Sequence, residues 1–312
     1  MADSIKYHFI YTIAYLFSLL PLRALYLFSD VCYLVLYYVI GYRIKVVRKN
    51  LSNSFPEKTE QERRGIEKGF YRWFCDYIFE TIKLTSMSEA EMRRRMQFVN
   101  IDEINAYASQ NRSVCLYLGH YCNWEWVSSL GLYFAPFPHL GQIYHELESK
   151  AADRFFLKIR ERFGVKCIKM EDTLPVIRGY NNTGQPHVVG YISDQVPGFH
   201  SMHYWPTFLN QLTPTYSGPE RIAKIFDNAV FYVDIKRPKR GYYVATMVKM
   251  SDGAKAEPKF SLTEKYYRLL ENSINENPYY WLWSHNRWKR TWEDFCANFP
   301  DEAERKRILS KL

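Results

Sequence analysis

The run Val114-Cys115-Leu116-Tyr117-Leu118 ends on Gly119 and leads directly into His120-Tyr121-Cys122-Asn123-Trp124-Glu125. Five apolar residues closed by a glycine read as a buried strand and its exit turn. This limits how His120 and Glu125 can meet. On one continuous helix, positions i and i+5 lie about 140° apart and share no face. They converge if His120 sits on a strand-to-helix turn and Glu125 on the first helical turn. Asn123 is then the natural N-cap, and Glu125 falls where a helix N-terminus favours negative charge. A neutral imidazole held by a carboxylate can take a proton from a hydroxyl.

Strands and helices alternate through the rest of the chain. Strand patterns cover 114–118, 141–144, 187–192, 229–235 and 242–250, the last after the turn Lys239-Arg240-Gly241. Helical patterns cover 59–84, 87–95, 124–133, 151–163, 218–226 and 263–275. Thr59-Glu60-Gln61-Glu62 is a capped start, and Gly164 ends the helix before it. The alternation predicts an α/β domain with a mainly parallel sheet flanked by helices.

Residues 7–40 are rich in Leu, Tyr, Ile and Val, and Pro21, Arg23 and Asp30 interrupt them. Each apolar half is shorter than the ~20 residues that cross a bilayer cleanly. No small-residue cleavage site follows a basic start, which argues against a removable signal peptide. Arg43, Lys45, Arg48 and Lys49 follow as a basic flank. We expect residues 1–42 to form an N-terminal membrane anchor, kinked, interfacial or packed as a pair, and 43–312 to form the catalytic domain.

The 312 residues carry a net charge of +9 and are 17% aromatic. A basic surface suits anionic lipid headgroups or an acidic carrier protein. The sequence shows no nucleic-acid module. Its six cysteines form no CxxC pair and no metal-ligand spacing, which fits reduced, buried thiols.

Several segments resemble the lipid A late acyltransferases of the lysophospholipid acyltransferase-like superfamily. His120 to Glu125 is similar to the H-x4-D/E motif of the glycerolipid-type acyltransferases. Arg48-Lys49-Asn50-Leu51 with Phe55-Pro56 resembles the family's "RxNL…FP" segment. Arg160-Glu161-Arg162-Phe163-Gly164 resembles "RxRFG", Asp194-Gln195 the "DQ" motif, and Trp283 to Lys289 the "WxHxRxK" motif. The resemblance runs from about Arg43 to Lys289 in the family order. It departs at Tyr144-His145, where the family commonly has another basic residue.

The resemblance implies a glycerolipid-acyltransferase-like fold. It implies an O-acyltransferase at the cell inner membrane with its active site facing the cytoplasm. The donor would be an acyl–acyl carrier protein thioester, the acceptor a hydroxyl of a lipid A precursor, and no metal or organic cofactor would take part. His120 would be the base and Glu125 its orienter. Another lipid acceptor, such as a lysophospholipid, aminolipid or glycolipid, and a non-catalytic lipid-binding relative are the alternatives.

Each residue has a plainer reading beside the functional one. His120 could be a core histidine and Glu125 a first-turn charge. Asp194 follows a strand, where α/β sites collect, but could cap a turn. Arg160 could clamp a phosphate or an oxyanion, or lie on a solvated helix face. Gln195, Thr215, Gly218 and Glu220 are candidate acceptor contacts by family likeness, and Pro219 suits a helix start. His285 and Arg287 are candidate walls of the acceptor or carrier site. Cys122 invites a Cys–His nucleophile, but its place two residues after the base is awkward. His200 and His203 lack a third ligand at a metal spacing, so no metal site is expected.

Overall fold

The computed structural model describes residues 2–134 and 136–312. Helices α1 (Ala2–Leu19) and α2 (Leu22–Leu34) open the chain, and α2 continues in a wider π-type turn over Val35–Ile40 before Gly41. Pro21 separates them, as its missing N–H and fixed φ require. Helix α3 (Ile44–Ser54) leads to α4 (Glu60–Lys83), which starts on a complete capping box between Thr59 and Glu62. Ser88 caps the short α5 (Glu89–Arg95).

The chain then builds a seven-stranded sheet. Strand β1 (Met96–Val99) and helix α6 (Ile101–Ser109) precede β2 (Val114–Leu118), the expected strand. A 3-10 helix, Trp126–Leu132, stands where an α-helix over 124–133 was expected. Next come β3 (His139–Tyr144), α7 (Lys150–Arg160), β4 (Lys166–Lys169), α8 (Thr173–Asn182) and β5 (His187–Ile192). Gly164, at φ 91, provides the left-handed stop after α7. Four short strands follow: β6 (Met202–Tyr204), β7 (Thr207–Phe208), β8 (Gln211–Leu212) and β9 (Thr215–Tyr216). The chain ends with α9 (Gly218–Phe226), the hairpin β10 (Ala229–Lys239) and β11 (Tyr242–Ser251), α10 (Ser261–Glu276), α11 (Trp292–Asn298) and α12 (Glu302–Leu309).

The main sheet runs β1-β11-β10-β2-β5-β3-β4. Every neighbouring pair is parallel except β10 and β11. This is the mostly parallel α/β layer architecture read from the alternation. All five residues of β2 are buried, as a strand covered on both faces requires. The ladder between β3 and β5 stops at Gln142 opposite Gly190. Beyond that pair, Ile143 and Tyr144 stay with β4 while Tyr191 and Ile192 stay with β2. The sheet therefore forks at Gly190, on the carboxyl side of the strands.

Residues 2–42 pack against the rest of the chain. Leu22, Leu25, Tyr33 and Tyr37 are buried in the main core. Ser29 Oγ donates to Asp76, Tyr37 Oη to Glu67, and Lys83 Nζ to the Ser18 and Leu20 carbonyls. The outward faces of both helices expose Ile5, Phe9, Leu16, Leu27, Val31 and Val39. The segment Leu22–Ile40 has the length and apolarity to cross a membrane, though 28% of it is buried against the protein.

Candidate active site

His120 and Asp194 each follow the carboxyl end of a strand. Those strands, β2 and β5, are parallel neighbours with Leu118 paired to Ile192, so their exits lie side by side. This is where open α/β sheets place ligands. Gly119 allows the exit. A Cβ there would lie 2.6 Å from Leu270 Cδ1 of α10, so a side chain would have to displace that buried leucine.

His120 Nδ1 donates to Asp194 Oδ1 at 2.6 Å, and the His120 backbone N–H donates to Oδ2 at 2.9 Å. Trp281 Nε1 also donates to Oδ2, at 2.7 Å. With Nδ1 protonated toward the carboxylate, Nε2 carries the free lone pair. Gln195 Nε2 approaches it at 3.2 Å, so the resting amide donates to the basic nitrogen. Burial pushes the Asp194 carboxyl upward. The adjacent His120 ring, with the donors from His120 and Trp281, outweighs that and holds it at about 2. The carboxylate that grips the imidazole is thus Asp194, and the expected His120–Glu125 contact is replaced.

Glu125 is committed elsewhere. It is buried, and Arg160 grips it through Nε to Oε2 at 2.7 Å and Nη2 to Oε1 at 2.5 Å. Tyr77 Oη adds a longer bond to Oε1, at 3.3 Å. Burial raises the Glu125 carboxyl, but Arg160 more than reverses that and keeps it below the usual range. Arg160 is no solvated helix face. It projects from the last turn of α7 into the space beside His120, and Glu125 raises its affinity for its proton against the effect of burial.

The turn carrying His120 is braced from behind. Asn123 Oδ1 accepts from Trp126 N, as a cap should, while its Nδ2 donates to the buried carboxylate of Glu80. Tyr243 Oη and Tyr26 Oη donate to the same carboxylate. Cys122 N donates to Tyr280 O at 2.8 Å and its backbone is left-handed, at φ 52. Its thiol is fully buried, and that burial pushes it well above the ordinary thiol range. A nucleophile needs thiolate and access, and Cys122 has neither.

A cavity of about 480 Å³ opens from this site. His120, Trp124, Glu125, Arg160 and Gln195 stand on its wall. Leu116, Leu118, Val188, Ile192, Leu140 and Ile222 make much of the rest apolar. It occupies the fork in the sheet, with Gly190 at the apex.

The other sequence candidates are spread more widely. Gly218 lines the cavity. Thr215 is buried and donates to Tyr204 O, and the Glu220 carboxylate accepts from the Thr263 N–H and hydroxyl at the start of α10. Both serve packing. Arg287 is fully buried and donates to Pro214 O and Tyr267 Oη, so it braces the site and does not form its wall. The His285 carbonyl accepts from Asn50, and burial pushes its imidazole down to about 4. His203 Nδ1 donates to the Ile308 carbonyl, and His200 meets the Phe299 ring edge-on.

Sequence reasoning missed Trp281 and Tyr77 as supports of the two carboxylates. It also missed Tyr266 and Tyr267, which donate to the Leu118 and Ser193 carbonyls flanking the site. Tyr266 and Tyr267 read in sequence as apolar-face residues of a helix. Nothing local links them to residues 70 to 150 positions away.

Fold and site together define an α/β protein with a carboxylate-held histidine at the mouth of an apolar cavity. Residues 4–290 match the family model of the bacterial lipid A biosynthesis acyltransferases, and the chain belongs to that family. A comparison with curated proteins gave no match.

Proposed function

We propose that this chain transfers a fatty acyl group from an acyl carrier protein thioester to a hydroxyl of a lipid A precursor. The observation that carries this reading is the Asp194–His120 pair at the mouth of the roughly 480 Å³ apolar cavity. The cavity suits an acyl chain, and the basic surface suits an acidic carrier.

In this reading, the acceptor hydroxyl displaces the Gln195 amide from His120 Nε2. His120 takes the hydroxyl proton as the oxygen attacks the thioester carbonyl. Asp194 holds the ring and stabilises the imidazolium. The oxyanion of the tetrahedral intermediate is met by Arg160, whose orientation Glu125 fixes. The C–S bond then breaks and the imidazolium returns its proton to the departing thiolate. The products are an ester and the free carrier thiol.

The same reading assigns residues 43–312 to catalysis and 1–42 to seating on the cytoplasmic face of the inner membrane. An in-plane arrangement fits better than a crossing one. Asp30 lies midway along Leu22–Ile40 and pairs with Arg240 of the catalytic domain at 2.6 Å. A crossing helix would carry that ion pair to the bilayer centre, at a cost of several kcal/mol. Lying flat, the helices bury their apolar faces and leave Asp30 at the headgroup level.

The test is reconstitution of the purified chain with an acyl carrier protein thioester and a lipid A precursor, read by mass spectrometry. One acyl increment on the glycolipid is expected, and it should disappear with His120→Ala. No transfer to the precursor, with acylation of another membrane lipid instead, would overturn the acceptor assignment.

A further inference from the structure

A second cavity, about 350 Å³, lies between α2, α4 and the β10–β11 turn, outside the catalytic site. Four cationic side chains line it (Arg72, Arg237, Lys239 and Arg240) against the carboxylates of Asp30 and Asp76. Asp76 is buried and accepts from Arg237 Nη2 at 2.6 Å and from Arg240. Asp30 takes Arg240 Nη2, also at 2.6 Å. The two carboxylates thus balance Arg237 and Arg240.

Arg72 and Lys239 remain uncompensated. Among the described residues neither forms an ion pair. Each lies over a ring instead, Arg72 5.2 Å from the Tyr33 centroid and Lys239 4.1 Å from that of Tyr242. Arg237 adds a second anomaly. Its side chain is only 8% exposed, yet its Nε–H has no hydrogen-bond partner. A buried guanidinium donor left unpaired is costly, and negative charge in the adjoining cavity would favour that cation.

The cavity also adjoins the apolar face of the N-terminal helices. Asp30, on its rim, is followed by exposed Val31 and preceded by exposed Leu27 and Phe28. A bilayer meeting that face would bring its headgroups to the cavity mouth. On its inner side stands Tyr280, whose neighbour Trp281 holds Asp194.

We propose that this cleft binds the phosphate of an anionic membrane lipid, with Arg72 and Lys239 as donors and the Arg237 and Arg240 guanidiniums adding positive charge to its wall. The proposal rests on the membrane seating described above. It identifies where on the protein surface a charged headgroup is read.

The experiment compares binding of the full-length chain to phosphatidylcholine vesicles with and without phosphatidylglycerol. The variant is Arg72→Ala/Lys239→Ala, which removes the two cations that hold no ion pair. A control variant, Lys255→Ala/Lys311→Ala, removes the same charge from exposed positions elsewhere. The first variant should lose about tenfold or more of the phosphatidylglycerol-dependent gain in affinity. It should bind neutral vesicles as the parent does, and the control should keep most of the gain.

Equal losses in both variants would overturn the site in favour of diffuse charge. Sodium phosphate should weaken the parent's binding to anionic vesicles more than sodium chloride of equal ionic strength. Equal effects of the two salts would overturn phosphate recognition. A parent chain that binds neither vesicle would refute the membrane seating itself, whereas a parent that binds with an unaffected variant would refute the cleft alone.

Discussion

Arg160 grips Glu125 through two parallel hydrogen bonds, at 2.7 and 2.5 Å, and the carboxylate is buried. Removing one member leaves the other charged and poorly solvated. Glu125→Gln and Arg160→Met should each destabilise the protein by about 3–5 kcal/mol. The double variant should lose clearly less than the sum. A denaturant-melt cycle measures this, and strictly additive losses would mean that the pair is not coupled.

The grip of Asp194 on His120 makes a sharper kinetic prediction. His120→Ala should lower turnover by about two to four orders of magnitude. Asp194→Asn should approach that loss, because an amide can no longer hold the imidazole in one tautomer as an anion does. Residues that act as a unit are non-additive, so adding Asp194→Asn to His120→Ala should cost little more. Single-turnover rates test it. Near-normal turnover in Asp194→Asn would return the orienting role to Glu125.

Cys122→Ser should keep most of the activity. The thiol is buried and pushed well above its ordinary range, so it does not supply a nucleophile at neutral pH. Left-handed φ at this position already strains a non-glycine residue, and serine inherits the same cost. Capture of an acyl thioester on Cys122 by mass spectrometry would reverse the assignment.

Gly190 sits where β3 leaves β5, at the apex of the cavity. A Cβ there would meet Leu118 Cδ1 at 3.4 Å and the Gly141 carbonyl at 3.9 Å, both ordinary contacts. Gly190→Ala should therefore fold and act nearly as the parent does. Gly190→Leu fills the apex and should favour shorter acyl donors by tenfold or more, the discrimination that a few methylenes provide in an apolar pocket. The ratio of kcat/KM across a series of acyl chain lengths is the measurement. A uniform fall at all lengths would show that Gly190 does not set the depth.

His187 is fully buried in β5, beside the Ser113 hydroxyl at 2.9 Å. Burial, helped by nearby His139, pushes it down to about 4. The unfolded chain takes up a proton near pH 6.5, and the folded one does not until about pH 4. The stability is therefore complete above about pH 6.5 and is lost progressively as pH falls toward 4. The loss is on the order of 3 kcal/mol. His187→Gln should flatten that part of the pH–stability curve, and an unchanged slope would place the titration elsewhere.

The sequence made β2, β5 and α9 readable to the residue, because continuous apolar runs or a Pro-marked start are local signals. It did not reveal β1, α6, β4 and α8, whose burial comes from partners distant in the chain. Asp194 was visible as a residue at a strand end, but its partnership with His120 depends on which strands pair. Strand order is not a local property. Glu125 and His120 lie five residues apart, whereas Arg160 reaches Glu125 only because α7 folds back across the sheet. Sequence proximity pointed to Glu125, and strand order brings Asp194 to the imidazole instead.

Trp281 secures Asp194 from a segment that also clamps the start of the chain. Leu282 N donates to His120 O, Asn50 Nδ2 donates to the Trp283 and His285 carbonyls, and Arg43 Nη1 donates to Ser284 O. During synthesis residues 2–42 leave the ribosome long before this closing segment exists. The set of donors on Asp194 is complete only when Trp281 arrives. A chain truncated before Trp281 would keep the N-terminal helices and His120 but leave Asp194 without its indole donor.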